Sequence, residues 1–382
     1  MNVFVIAGEA SGDKLGAALM AGLKTLSPDV AFSGVGGQSM QGEGIESRFA
    51  MEELSVMGLA EIVPKYRHLK RLIRDTADAI IAQAPDVVIS IDSPDFCLRV
   101  ARLVKAARPS QKWVHYVAPS VWAWRPGRAR KMAKVVDHVL ALLPFEPPYM
   151  QAAGMSCDFV GHPVVAEPRA DADEAAQFRA AHGIGPEQTM VLCLPGSRKS
   201  EVNRLGPRFD EALMQLRDRE PGVRVVVPTV RGVAKMVRTM TARWPVPPIV
   251  VEAPQDKRAA FAAADLALAA SGTVSLELAA NRTPMVIGYD ASRITWHIIW
   301  NMMKIDTVTL VNLVSDTRDV PEFLGPSCQA RNLSASLLEL MEDPARRSAQ
   351  VAAMELTMQR LGEGGEPPGL RAAKSVIAFM NR

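Results

Sequence analysis

Two carboxylates stand at the end of one apolar run. In PDVVISIDSPDFCLRVARLV, Pro85 to Val104, the branched residues Val87 to Ile91 give way to Asp92 and Asp95, with Ser93 and Pro94 between them. A carboxylate delivered to the tip of a buried strand can act as a general base, taking a proton from a nucleophilic hydroxyl. A carboxylate in the first turn of a helix needs no such role, because it complements the positive end of the helix dipole. The apolar positions after the tip, Phe96, Val100, Leu103, Val104 and Ala107, recur at helical intervals. That spacing predicts Ser93 as N-cap and Pro94 as the first helical residue. Asp95 then lies in the first turn, and Asp92 is left at the strand tip without a structural task.

Three other strand ends carry residues suited to a phosphorylated ligand. In CLPGSRKSEV, Cys193 to Val202, a strand ends in Pro-Gly-Ser-Arg, and an arginine held on a tight turn can neutralise a departing phosphate. In ALAASGTVSLELAANRTPMV, Ser271 and Gly272 make a turn and Thr273 opens a helix with Glu277 one turn in. Free amides and hydroxyls there suit a diphosphate, and Glu277 is placed to accept hydrogen bonds from a ribose. In AGEASGDKLGAAL, Ala7 to Leu19, Ser11 could cap a helix starting near Asp13 while Gly12 admits a ligand to the backbone amides. For each of these turns an ordinary capped helix or a surface arginine fits the same spacing.

Other chemistries find less support. The glycines at 8, 12 and 16 do not make a dinucleotide fingerprint, and GVGGQSMQGEG from Gly34 places Ser39 where the third glycine belongs. The histidines at 68, 115, 138, 162, 182 and 297 have no metal-site spacing, and no GxSxG elbow occurs.

The elements that must position these residues follow from the alternation of short β-branched runs with amphipathic stretches. VFVIA, VVISI and KWVHYV in the first half, then MVLCL, VRVVV, PIVVE, ADLALAA and PMVIGY in the second, predict parallel strands joined by crossover helices. The proline-rich VGHPVVAEPRADADEAA interrupts the pattern, so the expected boundary falls near 162 to 172. The reading is α/β, with one Rossmann-like domain over 1–165, a second over 172–345 and a helical segment over 346–382. Two such halves facing a central cleft would bind ligands at the carboxyl ends of their strands.

At 382 residues, two domains of about 150 to 200 residues are the default. A hydrophobic content of 48% with 22% charged residues fits a folded soluble protein, and a net charge of +3 argues against a nucleic-acid partner. The four cysteines form no CxxC pair, which fits a reducing cytoplasm. No run of about 18 apolar residues is present to span a bilayer. The stretch Leu59 to Ile81 is different in kind. Ile62, Val63, Tyr66, Leu69, Leu72 and Ile73 share a helical face flanked by Lys65, Arg67, Lys70, Arg71 and Arg74. Such a helix can lie on an anionic membrane, or turn the same face to the core. A second apolar patch, ITWHIIWNMM at 294–303, adds to the expected apolar surface.

In combination, the motifs resemble one family. GEASGD (8–13), MEELSVMG (51–58), IDSPDF (91–96), HYVAPSVWAWR (115–125), LPFE (143–146), GHP (161–163), LPGSR (194–198), ASGT (270–273), and VNL with VPEFL (311–324) occur in the order of the lipid-A-disaccharide synthases, glycosyltransferase family 19. The resemblance implies a GT-B fold and an inverting transfer from UDP-2,3-diacylglucosamine to 2,3-diacylglucosamine 1-phosphate (lipid X), with release of UDP and no metal or cofactor. It implies Asp92 as base, Arg198 and Asn312 as catalytically important, and Ser197, Ser271, Gly272, Thr273 and Glu277 at the nucleotide site, with Glu9, Ser11 and Gly12 facing the same cleft. It also implies a homodimer with exchanged C-terminal segments, and peripheral attachment of 62–74 to the cytoplasmic face of the inner membrane. Cys97, Val311 and Gly325 depart from the residues usual in that family. Rival readings are another UDP-sugar GT-B enzyme, such as an epimerase or a peptidoglycan-type transferase, and a non-catalytic nucleotide-binding module.

Overall fold

Both halves of the chain build a six-stranded parallel sheet. The computed structural model describes residues 1–54, 59–291, 296 and 303–382, with the side chains of 59–66 outside the description. The chain divides into two units, residues 1–166 with 364–382, and residues 167–363.

In the first unit the strands are β1 (Asn2–Ala7), β2 (Ala31–Val35), β3 (Val87–Ile91), β4 (Trp113–Tyr116), β5 (His138–Ala141) and β6 (Ser156–Phe159). Their order is β2-β1-β3-β4-β5-β6, all parallel. The Val/Ile runs read as strands because side chains alternate between two covered faces. Phe4, Ile6 and Val88 pack under α2 (Leu59–Gln83) and α3 (Pro94–Ala107), whereas Val3, Val5 and Ile89 meet α1 (Ala10–Leu26). Chain order reverses between β1 and β3, so the loops after these two strands open the carboxyl edge at a switch point.

The C-terminal helix, Pro368–Met380, covers α1 in this unit. It is fastened by polar contacts as well as apolar ones. The buried His138 places Nε2 2.8 Å from the Ser375 hydroxyl and stacks on Phe379 at 5.0 Å, while Ser375 donates to Asp158 at 2.6 Å.

Three buried titratable groups of the first unit make its stability depend on pH. Burial lowers His115 and His162 from 6.5 to about 4, and raises Glu146 from 4.5 to about 7. The histidines are neutral when folded, so their contribution is complete above pH 6.5 and is lost as pH falls toward 4. Glu146 works oppositely, its contribution being complete below pH 4.5 and lost as pH rises through 7. Each shift corresponds to about 3 kcal/mol at full effect. Urea midpoints should therefore rise from pH 4 to a plateau near pH 7, because two histidines outweigh one carboxyl, and Glu146→Gln should steepen that rise. A wild-type midpoint that climbed steadily to pH 8 would contradict this assignment.

The second unit contains β7 (Met190–Leu194), β8 (Arg224–Pro228), β9 (Ile249–Val251), β10 (Leu266–Ala270), β11 (Met285–Tyr289) and β12 (Glu322–Leu324), in the order β12-β11-β10-β7-β8-β9. Its helices include α4 (Lys199–Arg219), α5 (Pro254–Ala263), α6 (Val274–Ala280), α7 (Leu310–Ser315), α8 (Ala330–Glu342) and α9 (Pro344–Leu361). Phe209 and Leu213 of α4 and Leu333 and Leu337 of α8 close one face over Val191, Val225 and Leu268. The order reverses between β7 and β10, which makes their loops the second switch point.

The expected helical segment 346–382 needs correction. Helix α9 belongs to the second unit, where Thr357 donates to the Val311 carbonyl at 3.2 Å and Arg360 to that of Val314 at 2.7 Å. Only 364–382 returns to the first unit. The apolar face of α9 is satisfied locally, so the chain crosses back after it, at the glycine-rich turn.

Candidate active site

Asp92 follows β3 directly, and its conformation is unusual. Asp92 has φ 50° and Ser93 φ 44°, two consecutive non-glycine residues in the left-handed region. Each such residue costs on the order of 1 kcal/mol or more, and Asp tolerates it better than most. The strain is held by the Asp92 N–H donating to the Tyr116 carbonyl at 3.0 Å and by the Phe96 and Cys97 amides donating to the Ser93 carbonyl at 3.1 and 3.0 Å. Gly8, at the end of β1, completes the fit. A Cβ there would stand 2.3 Å from the Ser93 hydroxyl oxygen. The loops of the first switch point are thus locked together around Asp92, which is half-buried and makes no side-chain hydrogen bond to the described residues.

Ser93 occupies the N-cap position of α3, yet its side chain makes no cap bond, because the left-handed turn carries the hydroxyl toward Gly8. Asp95 lies exposed in the first turn of α3. Cys97 is fully buried below, its thiol pushed up by burial and by the charge of Asp92.

The first glycine-containing turn differs from expectation. Helix α1 starts at Ala10, so Ser11 is an exposed first-turn residue and not its cap, which is Glu9, half-buried and extended. Gly12 is buried against Ile91, 3.5 Å from where a Cβ would lie, and serves close packing of helix on strand and not ligand approach. Asp13 does more than balance a dipole. Its buried carboxylate accepts from the amides of Gly37, Ser39 and Met40 at 2.8, 2.9 and 3.0 Å. The glycine-rich loop that imitates a dinucleotide fingerprint therefore has its amides occupied.

At the second switch point a cavity of about 380 Å³ is walled by Ser197 and Arg198 after β7, Pro228 at the end of β8 with Thr229 after it, Ser271, Gly272 and Thr273 after β10, and Lys257 and Glu277. Four separate stretches of sequence converge there. Gly196 has φ 119°, and the Glu201 carboxylate lies 2.5 Å from where its Cβ would stand, so only glycine fits this turn. Glu201 holds the turn by accepting from the Ser197 and Arg198 amides at 3.1 and 3.2 Å and from the Arg198 guanidinium at 3.2 Å. The remaining guanidinium donors stay open, since the Arg198 side chain is 63% exposed. Gly272 has φ 151° with no atom within 4 Å of its missing Cβ, which leaves its backbone accessible.

Asn312 is brought near this region but not into the cavity. It is 1% exposed, its amide donating to Thr307 at 3.2 Å and the Val320 carbonyl at 2.9 Å while its oxygen accepts from the Val320 amide at 3.1 Å. Both of its donors are engaged within this loop, so its amide offers no free donor to the cavity. Glu322 works on the same loop, accepting from the Val308 and Thr309 amides, each at 3.1 Å by Oε2, and the Ser271 hydroxyl reaches the Val308 carbonyl at 3.4 Å. The VNL and VPEFL motifs thereby brace the turn that carries Ser271. Sequence reasoning missed Glu201, although an acid three residues after an N-cap is a capping signal. It also missed Lys257, for which no local signal exists.

The proposed membrane face divides. Leu72 and Ile73 are buried in the core with Phe96, Val100 and Val104, so their assignment to a membrane is corrected. The stripe is used to pack α2 on α3. Leu69 is half-buried, while Arg67, Lys70, Arg71 and Arg74 are exposed. Ile62, Val63 and Tyr66 lie outside the described side chains, as does most of 294–303. No helix among the described residues is long and apolar enough to cross a membrane.

Residues 3–367 match the lipid-A-disaccharide synthetase family. The chain is 61% identical to the lipid-A-disaccharide synthase of Ruegeria pomeroyi, over 99% of this chain and 95% of that one. It is 47% identical to that of Rhodospirillum centenum, over 100% and 95%. Among solved structures, UDP-GlcNAc 2-epimerase from Neisseria meningitidis bound to UDP-GlcNAc matches with a TM-score of 0.66 at 13% identity over 100% of both chains, a likeness of GT-B fold. The chain belongs to the lipid-A-disaccharide synthase family.

Proposed function

We propose that the chain transfers 2,3-diacylglucosamine from its UDP derivative to 2,3-diacylglucosamine 1-phosphate, forming the β-1,6-linked lipid A disaccharide by single displacement. The observation that supports the chemistry is a half-buried carboxylate on a strained turn at the first switch point, and an exposed arginine beside the Ser271–Thr273 turn at the second. Asp92 takes the proton of the acceptor 6-hydroxyl, whose oxygen attacks the anomeric carbon. The carbon–oxygen bond to UDP breaks as the new one forms, and the departing diphosphate takes the electron pair. Its growing charge is met by Arg198 and by the Ser271–Thr273 turn, donors that need no rearrangement at the moment of reaction. Glu277 receives the ribose.

The epimerase reading shares the fold at 13% identity. It lacks the family match along the chain. Incubation with both acylated glucosamine substrates should give, by mass spectrometry, one disaccharide 1-phosphate and UDP. Equal turnover of unacylated UDP-N-acetylglucosamine would remove the lipid reading.

Attachment to an anionic inner-membrane surface from the cytoplasmic side is part of the same proposal, now narrowed to Ile62, Val63, Tyr66 and Leu69. Its support is the basic rim of Arg67, Lys70, Arg71 and Arg74, all exposed. Leu72→Ser with Ile73→Ser should lower folding stability by several kcal/mol, about 2 or more for each buried side chain. Ile62→Ser with Leu69→Ser should weaken liposome binding. Liposome binding unaffected by the second pair would contradict the assignment. A homodimer that exchanges Pro368–Met380 is proposed from the resemblance alone.

A further inference from the structure

Lys257 reaches the nucleotide cavity from α5, a helix that carries none of the strand-tip motifs. Its ammonium lies 3.1 Å from Oε2 of Glu277 on α6, and the two side chains, 31% and 33% exposed, wall the same cavity as Arg198 and the Ser271–Thr273 turn. The lysine is steadied from below, its ammonium 5.4 Å from the ring centroid of the buried Phe261. An ion pair this exposed adds little to folding stability. Its position on a ligand cavity therefore calls for a reason other than stability.

The chemistry of a sugar hydroxyl supplies one. A hydroxyl both donates and accepts, whereas a carboxylate only accepts and an ammonium only donates. Glu277 alone would leave the hydroxyl oxygens unmet. With Lys257 beside it, one carboxylate oxygen is engaged, the other has no partner among the described residues, and the two remaining ammonium protons are open to a hydroxyl oxygen. An adjacent carboxylate and ammonium thus complement two neighbouring hydroxyls, the pattern of a ribose 2′,3′-diol.

We infer that Lys257 and Glu277 together form a receptor for the ribose diol, which makes Lys257 a residue that selects ribo- over deoxyribonucleotides. This rests on the nucleotide-site reading above. Calorimetry on the full chain with UDP, 2′-deoxy-UDP and inorganic pyrophosphate tests it. The wild type should prefer UDP to 2′-deoxy-UDP by about tenfold or more, as for a hydrogen bond to a charged group. Lys257→Met should weaken UDP by about tenfold, narrow the preference to about twofold, and leave pyrophosphate binding within about twofold. Lys257→Arg should keep most of the preference. If Lys257→Met left the preference intact, or weakened all three probes by one common factor, the inference would be overturned while the nucleotide site stood. A wild type that bound no UDP would overturn both.

Discussion

Asp92→Asn should lower the rate of disaccharide formation by about 10³-fold while UDP affinity stays within about twofold of wild type. The asparagine keeps the size and the left-handed tolerance of the aspartate, so the strained turn survives and only the proton acceptor is lost. Asp95→Asn is the matched control. Asp95 is exposed in the first turn of α3, and its loss should cost a few tenths of a kcal/mol of stability and little activity. Gly8→Ala reaches the same chemistry by geometry, because the new methyl would stand 2.3 Å from the Ser93 hydroxyl oxygen and must push the turn aside. It should lower kcat with Asp92 unaltered. If Asp92→Asn kept full turnover, or lost UDP binding in proportion to turnover, the base assignment would be wrong.

Arg198→Ala should lower kcat by about 10² to 10³ with a smaller change in KM, since charge on the diphosphate grows as the bond breaks. Arg198→Lys should recover little of this, because lysine cannot offer a planar fork from a fixed turn. Glu201 makes the case sharper. Its carboxylate holds the Ser197 and Arg198 amides and one guanidinium nitrogen, so Glu201→Ala releases the turn while leaving the arginine in place. A loss of about tenfold in kcat is expected from the looser arginine. Steady-state kinetics with saturating acceptor separate the outcomes. A rise in KM alone in Arg198→Ala would mean that the arginine binds substrate and transition state equally.

The sheets were legible wherever a branched run was long enough. β1, β3, β4 and β7 to β11 coincide with such runs, whereas β2 (AFSGV), β6 (SCDF) and β12 (EFL) are short and mixed, and are strands because neighbours pair with them. Asp92 was separable from Asp95 because a helix start has a local signature. The task of Asp13 was not legible for the opposite reason, since the amides it satisfies lie 24 to 27 residues away and no periodicity records them. Leu72 and Ile73 illustrate a second limit. A helical apolar stripe is the same whether it meets a membrane or α3, and only the fold decides. Asn312 drew attention by its motif, but its amide is spent on Thr307 and Val320, a role that depends on a loop closing over it.

The most direct test of single displacement at Asp92 is the configuration of the new linkage. Proton NMR of the disaccharide 1-phosphate made from the α-linked UDP donor should give the coupling of a β-glycosidic bond in the wild type and in the residual product of Asp92→Asn. An α linkage would mean retention, which a single in-line displacement cannot give, and would contradict the role assigned to Asp92.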